Sequence, residues 1–204
     1  MYKELLENAN LSYSILNDYN ENQFYNEDCL MEEELSSIEY KDCYFKGCQF
    51  QYVSFLNSYF IHTTFEDCDL SNIKLNNCLF RNVEFMNCKL MGTEYTESIF
   101  DNVILDTCIC RFGDFSSMKN KKVFFKNCDL SHASIIETKL NQTKFKECIF
   151  YQCEILHSSL YKIDLSTCDL NNILTSPQDI SGAIINEYQA SSLIHLLNVH
   201  IKEE

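Results

Sequence analysis

From Tyr40 to Leu170 every fifth residue is apolar, with one exception. The series begins Tyr40, Phe45, Phe50, Phe55, Phe60, Phe65, Leu70, Leu75, Phe80 and runs without a slip to Leu160, Leu165, Leu170. Only Asn120 among these 27 positions is polar, and together they hold 12 of the chain's 15 phenylalanines. Two residues before each lies a second series of smaller or β-branched side chains: Cys43, Cys48, Val53, Ser58, Thr63, Cys68 and onward to Cys168. A five-residue unit is too short to be a helix or a strand with its own core. It makes one side of a coil. Four sides close a square turn of 20 residues, so residue n lies under residue n+20, and turns stack at about 4.8 Å. The expected fold is all-β, a quadrilateral β-helix whose two inward series form the core. Inward Ser and Thr satisfy nearby backbone groups.

A coil has two open backbone edges, and each needs a cap. The sequence divides accordingly. Residues 1–37 are an acidic N-terminal cap or irregular first coil, 38–176 the β-helix, and 177–204 a capping segment. Leu11 and Leu16 show the repeat in another phase, as one or two outlying repeats or a capping segment. Residues 17–37 lose the clear period and read either as a loop or as an irregular coil with a short helix near Met31–Leu35. At 116–122, Met118 and Asn120 occupy core positions among three lysines, which predicts a bulge or small loop. Pro177 marks a turn. Helical spacing then joins Tyr188, Leu193, Leu196 and Leu197, with Asn186 as N-cap, and Val199–Ile201 alternates like a short strand.

Four Gly and one Pro argue against a fold of tight hairpins. No apolar run reaches 18 residues, so no transmembrane helix is expected. No basic segment followed by an apolar one opens the chain, so no secretory signal is expected either. Of the 12 cysteines, ten occupy the small inward site, Cys110 the large one, and only Cys29 lies outside the periodic stretch. Free Cys packs as a small hydrophobe, and this usage fits a reducing, cytoplasmic compartment. No CxxC pair and no HExxH spacing occur, so no metal and no cofactor is expected. His62, His132 and His157 fall on outward positions. No glycine-rich phosphate loop or GxSxG is present, and a convex rod has no cleft in which to desolvate paired carboxylates. An enzyme is not expected.

The units Cys68-Asp69-Leu70-Ser71-Asn72, Cys128-Asp129-Leu130-Ser131-His132 and Cys168-Asp169-Leu170-Asn171-Asn172 resemble the consensus A(D/N)LXX of the pentapeptide repeat proteins. The resemblance covers about two thirds of the chain and implies a right-handed quadrilateral β-helix. A narrower one, to the Qnr-type quinolone-resistance proteins, rests on chain size, the nearly unbroken coil and the tail Asp179 to Ala190 followed by Leu193, Leu196 and Leu197. It implies a rod that mimics B-DNA, binds DNA gyrase and topoisomerase IV, relieves fluoroquinolone inhibition, and forms a homodimer end to end through its C-terminal helix. The dimer contacts would be Ile180, Ile184, Ile185, Tyr188, Leu193, Leu196 and Leu197. The long projecting loops of many members are not evident here.

The net charge of −14 is concentrated at the N-terminus: residues 1–35 carry nine acids and one Lys, residues 36–170 carry 17 acids and 14 bases. Binding of nucleic acid through a basic surface is disfavoured. Sorted by position modulo 20, one side gathers Glu94, Glu97, Asp114, Glu137 and Glu154 against Lys74. These five are the expected contacts for a protein partner. An adjacent side is basic, with Lys41, Arg81, Lys119, Lys121, Lys122, Lys139 and Lys162. B-DNA carries one charge per about 1.7 Å of axis, denser than this acidic stripe. The alternatives are a solvated face and a scaffold solenoid with another protein partner.

Overall fold

The computed structural model of the protein describes residues 17–197. The chain winds as a β-solenoid of about eight turns. Strands are mostly three residues long and parallel, and each pairs with the strand 20 residues away: Tyr40 with Phe60, Phe65 with Phe85, Phe100 with Asn120, Ile135 with Ile155. The coil has four sides. Side one is centred on Asn20, Tyr40, Phe60 and their successors, side two on Tyr25, Phe45, Phe65, side three on Leu30, Phe50, Leu70, and side four on Leu35, Phe55, Leu75.

A residue in the left-handed region makes each corner. Every fifth residue from Asn22 to Asn172 except Thr167 has positive φ. Asparagine, which tolerates this region best among residues with a side chain, fills nine of these corners. Tyr52, Phe112 and Lys122 occupy others at φ of 56°, 58° and 57°, at a cost of about 1–2 kcal/mol each that the backbone ladder offsets. The Asp of the repeat is part of the corner too. Asp69, Asp114, Asp129, Asp164 and Asp169 each accept the N–H two residues on, at 2.9–3.1 Å, an Asx turn.

The inward series form one continuous core. Phenylalanine rings stack coil on coil, as in Phe45–Phe65 at 4.7 Å and Phe60–Phe80 at 4.8 Å, both within 7° of parallel. On side one the small site binds backbone as well. Ser98 Oγ donates to Leu75 O at 2.6 Å and accepts Cys78 N–H at 2.9 Å. Ser158 makes the same pair with Ile135 O and Thr138 N.

Three sequence expectations change. Residues 17–37 are regular coil: Asn20, Tyr25, Leu30 and Leu35 continue the five-residue phase and pair with Tyr40, Phe45, Phe50 and Phe55. No helix lies near Met31–Leu35, where strands Cys29–Met31 and Glu34–Ser36 run instead. No bulge or loop interrupts 116–122 either. The strand Lys119–Lys126 pairs in unbroken register with Ile99–Asp106 because Met118 and Asn120 are simply buried in place. The readings of 1–16 and 199–201 lie outside the described residues, as do the side chains of His195 and Leu197.

Asn120 is 4% exposed and its Oδ1 has no hydrogen-bond partner, between Phe100 and Leu140 in register. An unsatisfied buried acceptor costs about 1–3 kcal/mol. Asn120→Leu should therefore raise stability by about 1–2 kcal/mol, read as a higher urea midpoint; a lower one would contradict this account of the site.

Burial also sets the alkaline limit. Loss of solvation pushes the Cys43 thiol up to about 11 and the Cys78 thiol up to about 12, above an unfolded value of about 8.5. The unfolded chain therefore loses its thiol protons first. The stability these groups supply is complete below about pH 8.5 and is lost as pH rises through their folded values, about 3 kcal/mol from Cys43 alone by pH 11. Urea midpoints should fall steadily between pH 8.5 and 11, and a flat profile would contradict it.

The C-terminal end is closed by its own chain. A short helix α1, Pro177–Ile180, starts at the N-cap Ser176. The buried Asp179 accepts His157 N–H and Ser158 N–H, both at 3.0 Å. Residues 179–184 continue the ladder, accepting from Leu160, Lys162 and Leu165. Gly182 has φ of 76°, and a Cβ there would stand 2.4 Å from the Tyr161 ring. Helix α2, Glu187–Leu193, opens with Asn186 as its N-cap, as its sequence predicts, in a capping box with Gln189, and ends in a 3₁₀ turn, Ile194–Leu197.

Candidate protein-interaction surface

Side four carries the acidic stripe. The outward positions just before its core residues form a file: Glu34, Ser54, Lys74, Glu94, Asp114, Ser134, Glu154 and Leu174, each in parallel register with the next. Glu94 and Asp114 are thus neighbours about 4.8 Å apart, and Glu154 lies two coils further. Glu97 and Glu137 are exposed left-handed corner residues of the same side, also two coils apart. The five predicted residues therefore share one side of the rod in two files.

Their neighbours hold them in place. Asn76 Nδ2 donates to Glu94 Oε2 at 3.2 Å, and Thr96 Oγ1 to Asp114 Oδ2 at 3.0 Å. Asp114 Oδ1 is already used by the Ser116 N–H, so this carboxylate shapes the corner while presenting its charge. The first coil adds Glu33 and Glu34, bringing side four to seven carboxylates against Lys74 alone. Sequence reasoning missed these two because the register of 17–37 was open; Tyr25, Leu30 and Leu35 at multiples of five were the signal.

What separates side four from the rest is pairing. Among the described residues there are nine ion pairs, and all lie on the other three sides. Most link adjacent coils, such as Lys126–Asp106 and Arg111–Asp129, both at 2.6 Å, and Lys41–Glu21. Among these residues no cation comes within ion-pair distance of a carboxylate of side four, and Lys74, in register beside Glu94, is the one lysine of that side. An uncompensated row of fixed negative charge attracts a cationic surface over several ångströms. The basic stripe lies on side one. Lys119 and Lys139 stand in register there, and Lys121 and Arg81 share Asp101 at 3.5 and 3.7 Å.

The seven predicted tail contacts have different fates. Ile180, Ile185 and Leu193 pack against the core as part of the cap. Leu196 is half-buried, and Ile184 and Tyr188 are 51% and 81% exposed. The tail reaches over the end of the coil through polar groups that the apolar pattern did not reveal. Gln189 Nε2 donates to Leu165 O at 2.8 Å and Cys168 O at 2.6 Å, and Asn186 Nδ2 donates to Ser166 O at 2.6 Å.

Among the described residues, no group of three or more His, Cys, Asp or Glu is placed to hold a metal ion, and no helix is long and apolar enough to cross a membrane. A surface depression of about 480 Å³ touches side four, between Glu34, Tyr52, Ser54 and Lys74.

Comparisons with known proteins follow the coil. No curated protein sequence matches the chain. Among solved structures, a trypsin-treated variant of QnrB1, a plasmid-mediated fluoroquinolone resistance protein, is similar at 16% identity and a TM-score of 0.44, covering 88% of this chain and 100% of that one. HetL, a pentapeptide repeat protein involved in heterocyst differentiation regulation in the cyanobacterium Nostoc sp. strain PCC 7120, is similar at 16% identity and a TM-score of 0.40, over 85% and 89%. A pentapeptide repeat protein of the Arabidopsis thaliana thylakoid lumen is similar at 23% identity and a TM-score of 0.36, over 40% and 61%. A family profile described as a pentapeptide repeat region matches residues 38–115, and one described as pentapeptide repeats (8 copies) matches residues 121–152. Together they span more than half of the 204 residues, and the chain belongs to the pentapeptide repeat family.

Proposed function

We propose that the protein is a cytoplasmic, non-enzymatic binding rod that docks side four onto the DNA-binding surface of a type II topoisomerase, DNA gyrase or topoisomerase IV, and so protects that enzyme from fluoroquinolones. The observation that carries this reading is the unpaired acidic side, seven carboxylates with one lysine and no ion pair. A protein surface built for phosphates recognises fixed carboxylates by the same long-range attraction. Binding of purified gyrase to the immobilised protein tests it. The affinity should fall about tenfold or more between 50 and 300 mM salt; no binding at low salt would sink the reading.

The rod dimerises through the C-terminal end, where Ile184 and Tyr188 are left exposed beside the cap. Ile184→Asp combined with Tyr188→Asp should reduce the mass seen by light scattering from a dimer to the 23.9 kDa monomer. An unchanged mass would make the tail a cap only.

A scaffold role with a different protein has one observation in its favour. Met91, Ile109, Phe112, Ile149 and Tyr151 are exposed together on side three, an apolar area of the kind that marks interaction sites. Capture of a partner by this side, with gyrase ignored, would favour that reading.

A further inference from the structure

On side two an outward file runs Glu84, Ile104, Phe124, Lys144, each in parallel register with the next. Within three steps it changes from acid to apolar to base. Ile104 is 37% exposed and Phe124 half-buried, so a short apolar strip faces solvent. Both stand on the strands Ile99–Asp106 and Lys119–Lys126, whose ladder is unbroken, and the strip is therefore flat. Beside it, the left-handed corner between sides one and two carries Lys122 and Gln142 in successive coils, both exposed. Ile104, Phe124, Lys122, Gln142 and Lys144 line a depression of about 480 Å³. Small-ligand sites typically measure about 300–1,000 Å³.

The lysines here differ in what they face. Lys121 and Lys126 each reach back one coil to an aspartate, Asp101 at 3.5 Å and Asp106 at 2.6 Å. Lys122 and Lys144 form no ion pair with any described residue. One coil back from them stand Asn102 and Phe124, which carry no charge. One coil on from Lys144 is Asp164, whose Oδ1 accepts the Ser166 N–H at 2.9 Å.

We propose that this depression binds small organic anions, with a flat apolar body lying on Ile104 and Phe124 and one anionic head held by Lys122 and Lys144. Charge defines the head. Two ammonium groups without a carboxylate partner attract one anion, and the Gln142 amide adds a hydrogen-bond donor. Glu84, at the far end of the strip, repels the head and so fixes which way the ligand lies. The apolar body gains by covering surface that otherwise stays in water. The acids also limit size. A polyanion following the rod would meet Glu84 at one end of the file and Asp164 at the other, on a chain whose net charge of −14 already opposes it. Side two lies across the coil from side four, so this site fills without touching the acidic stripe.

The test uses 2-naphthoate as the probe and the isoleucine methyl resonances of the full chain as the readout. The Ile104 methyl should shift saturably, with a Kd of about 1 mM or below. Ile109 and Ile149, exposed on side three, should stay in place; they report adsorption to any apolar surface. Lys122→Gln combined with Lys144→Gln should weaken binding about tenfold. Lys119→Gln combined with Lys139→Gln, on side one, should change it less than about twofold. The neutral 2-naphthamide should bind the intact protein about tenfold more weakly than the anion. All four lysines are exposed, so these variants keep the fold. No shift at Ile104, equal shifts at Ile104, Ile109 and Ile149, equal weakening by the two lysine pairs, or equal binding of the amide would each overturn the proposal.

Discussion

Replacing Phe80 by alanine should destabilise the protein by about 3–5 kcal/mol, read as a lower urea midpoint. Phe80 is fully buried in the middle of the stack. Its ring lies parallel to Phe60 at 4.8 Å and meets Phe100 edge-on at 4.9 Å. It also touches Phe85 and Tyr95, both at 5.9 Å. The coil above and the coil below are held by backbone ladders at fixed spacing, so the walls cannot collapse into the space, and the full cavity term applies. Because each coil touches only its neighbours, the damage divides the stack in two. Phe112, 58% exposed and stacked on His132 at 4.9 Å, is the control. Phe112→Ala should cost under about 1 kcal/mol. Similar losses at both positions would mean that the ring stack is not the core's main source of stability.

Neutralising side four should weaken binding to gyrase about 100-fold with little effect on the fold. The variant combines Glu94→Gln, Asp114→Asn and Glu154→Gln. The shapes are kept, and the amide oxygen introduced at position 114 can still accept the Ser116 N–H that Asp114 now accepts. None of the three forms an ion pair, although Lys74 stands in register beside Glu94, so no ion pair is broken. An exposed charge pair is worth up to about 1 kcal/mol, and three together give the expected factor. The matching change on side one, Lys119→Gln with Lys139→Gln, relieves two lysines in register and should leave gyrase binding intact. Equal weakening by both sets would show that the interaction is non-specific charge attraction.

The sequence carried the coil because its signal is geometric. Positions five apart that face one interior must be apolar, and 26 of 27 are. The first coil was hidden for a related reason. Its large inward sites are ordinary, Tyr25, Leu30 and Leu35, but its small sites are Asp18, Gln23, Asp28 and Glu33. At an end coil the small site need not be sealed, since Glu33 and Asp28 are only half-buried, so polar residues are tolerated and the second series disappears. The fault at 118–120 misled in the opposite direction. An amide in a core position suggested a break, yet the ladder on both sides outweighs one unpartnered Oδ1. In the tail, helical spacing revealed α2 and its cap. It could not show that Ile180, Ile185 and Leu193 are spent on the core, leaving Ile184 and Tyr188 outside. The acidic side was legible as a sum of charges. That no carboxylate of this side forms an ion pair depended on side-chain positions that spacing does not give.

The most direct test of the central claim is a DNA supercoiling assay with purified gyrase, an inhibitory concentration of ciprofloxacin, and increasing amounts of this protein. The account predicts that supercoiling returns with the intact protein and does not return with the variant neutralised at Glu94, Asp114 and Glu154. No rescue by the intact protein at any concentration, or equal rescue by both, would contradict it.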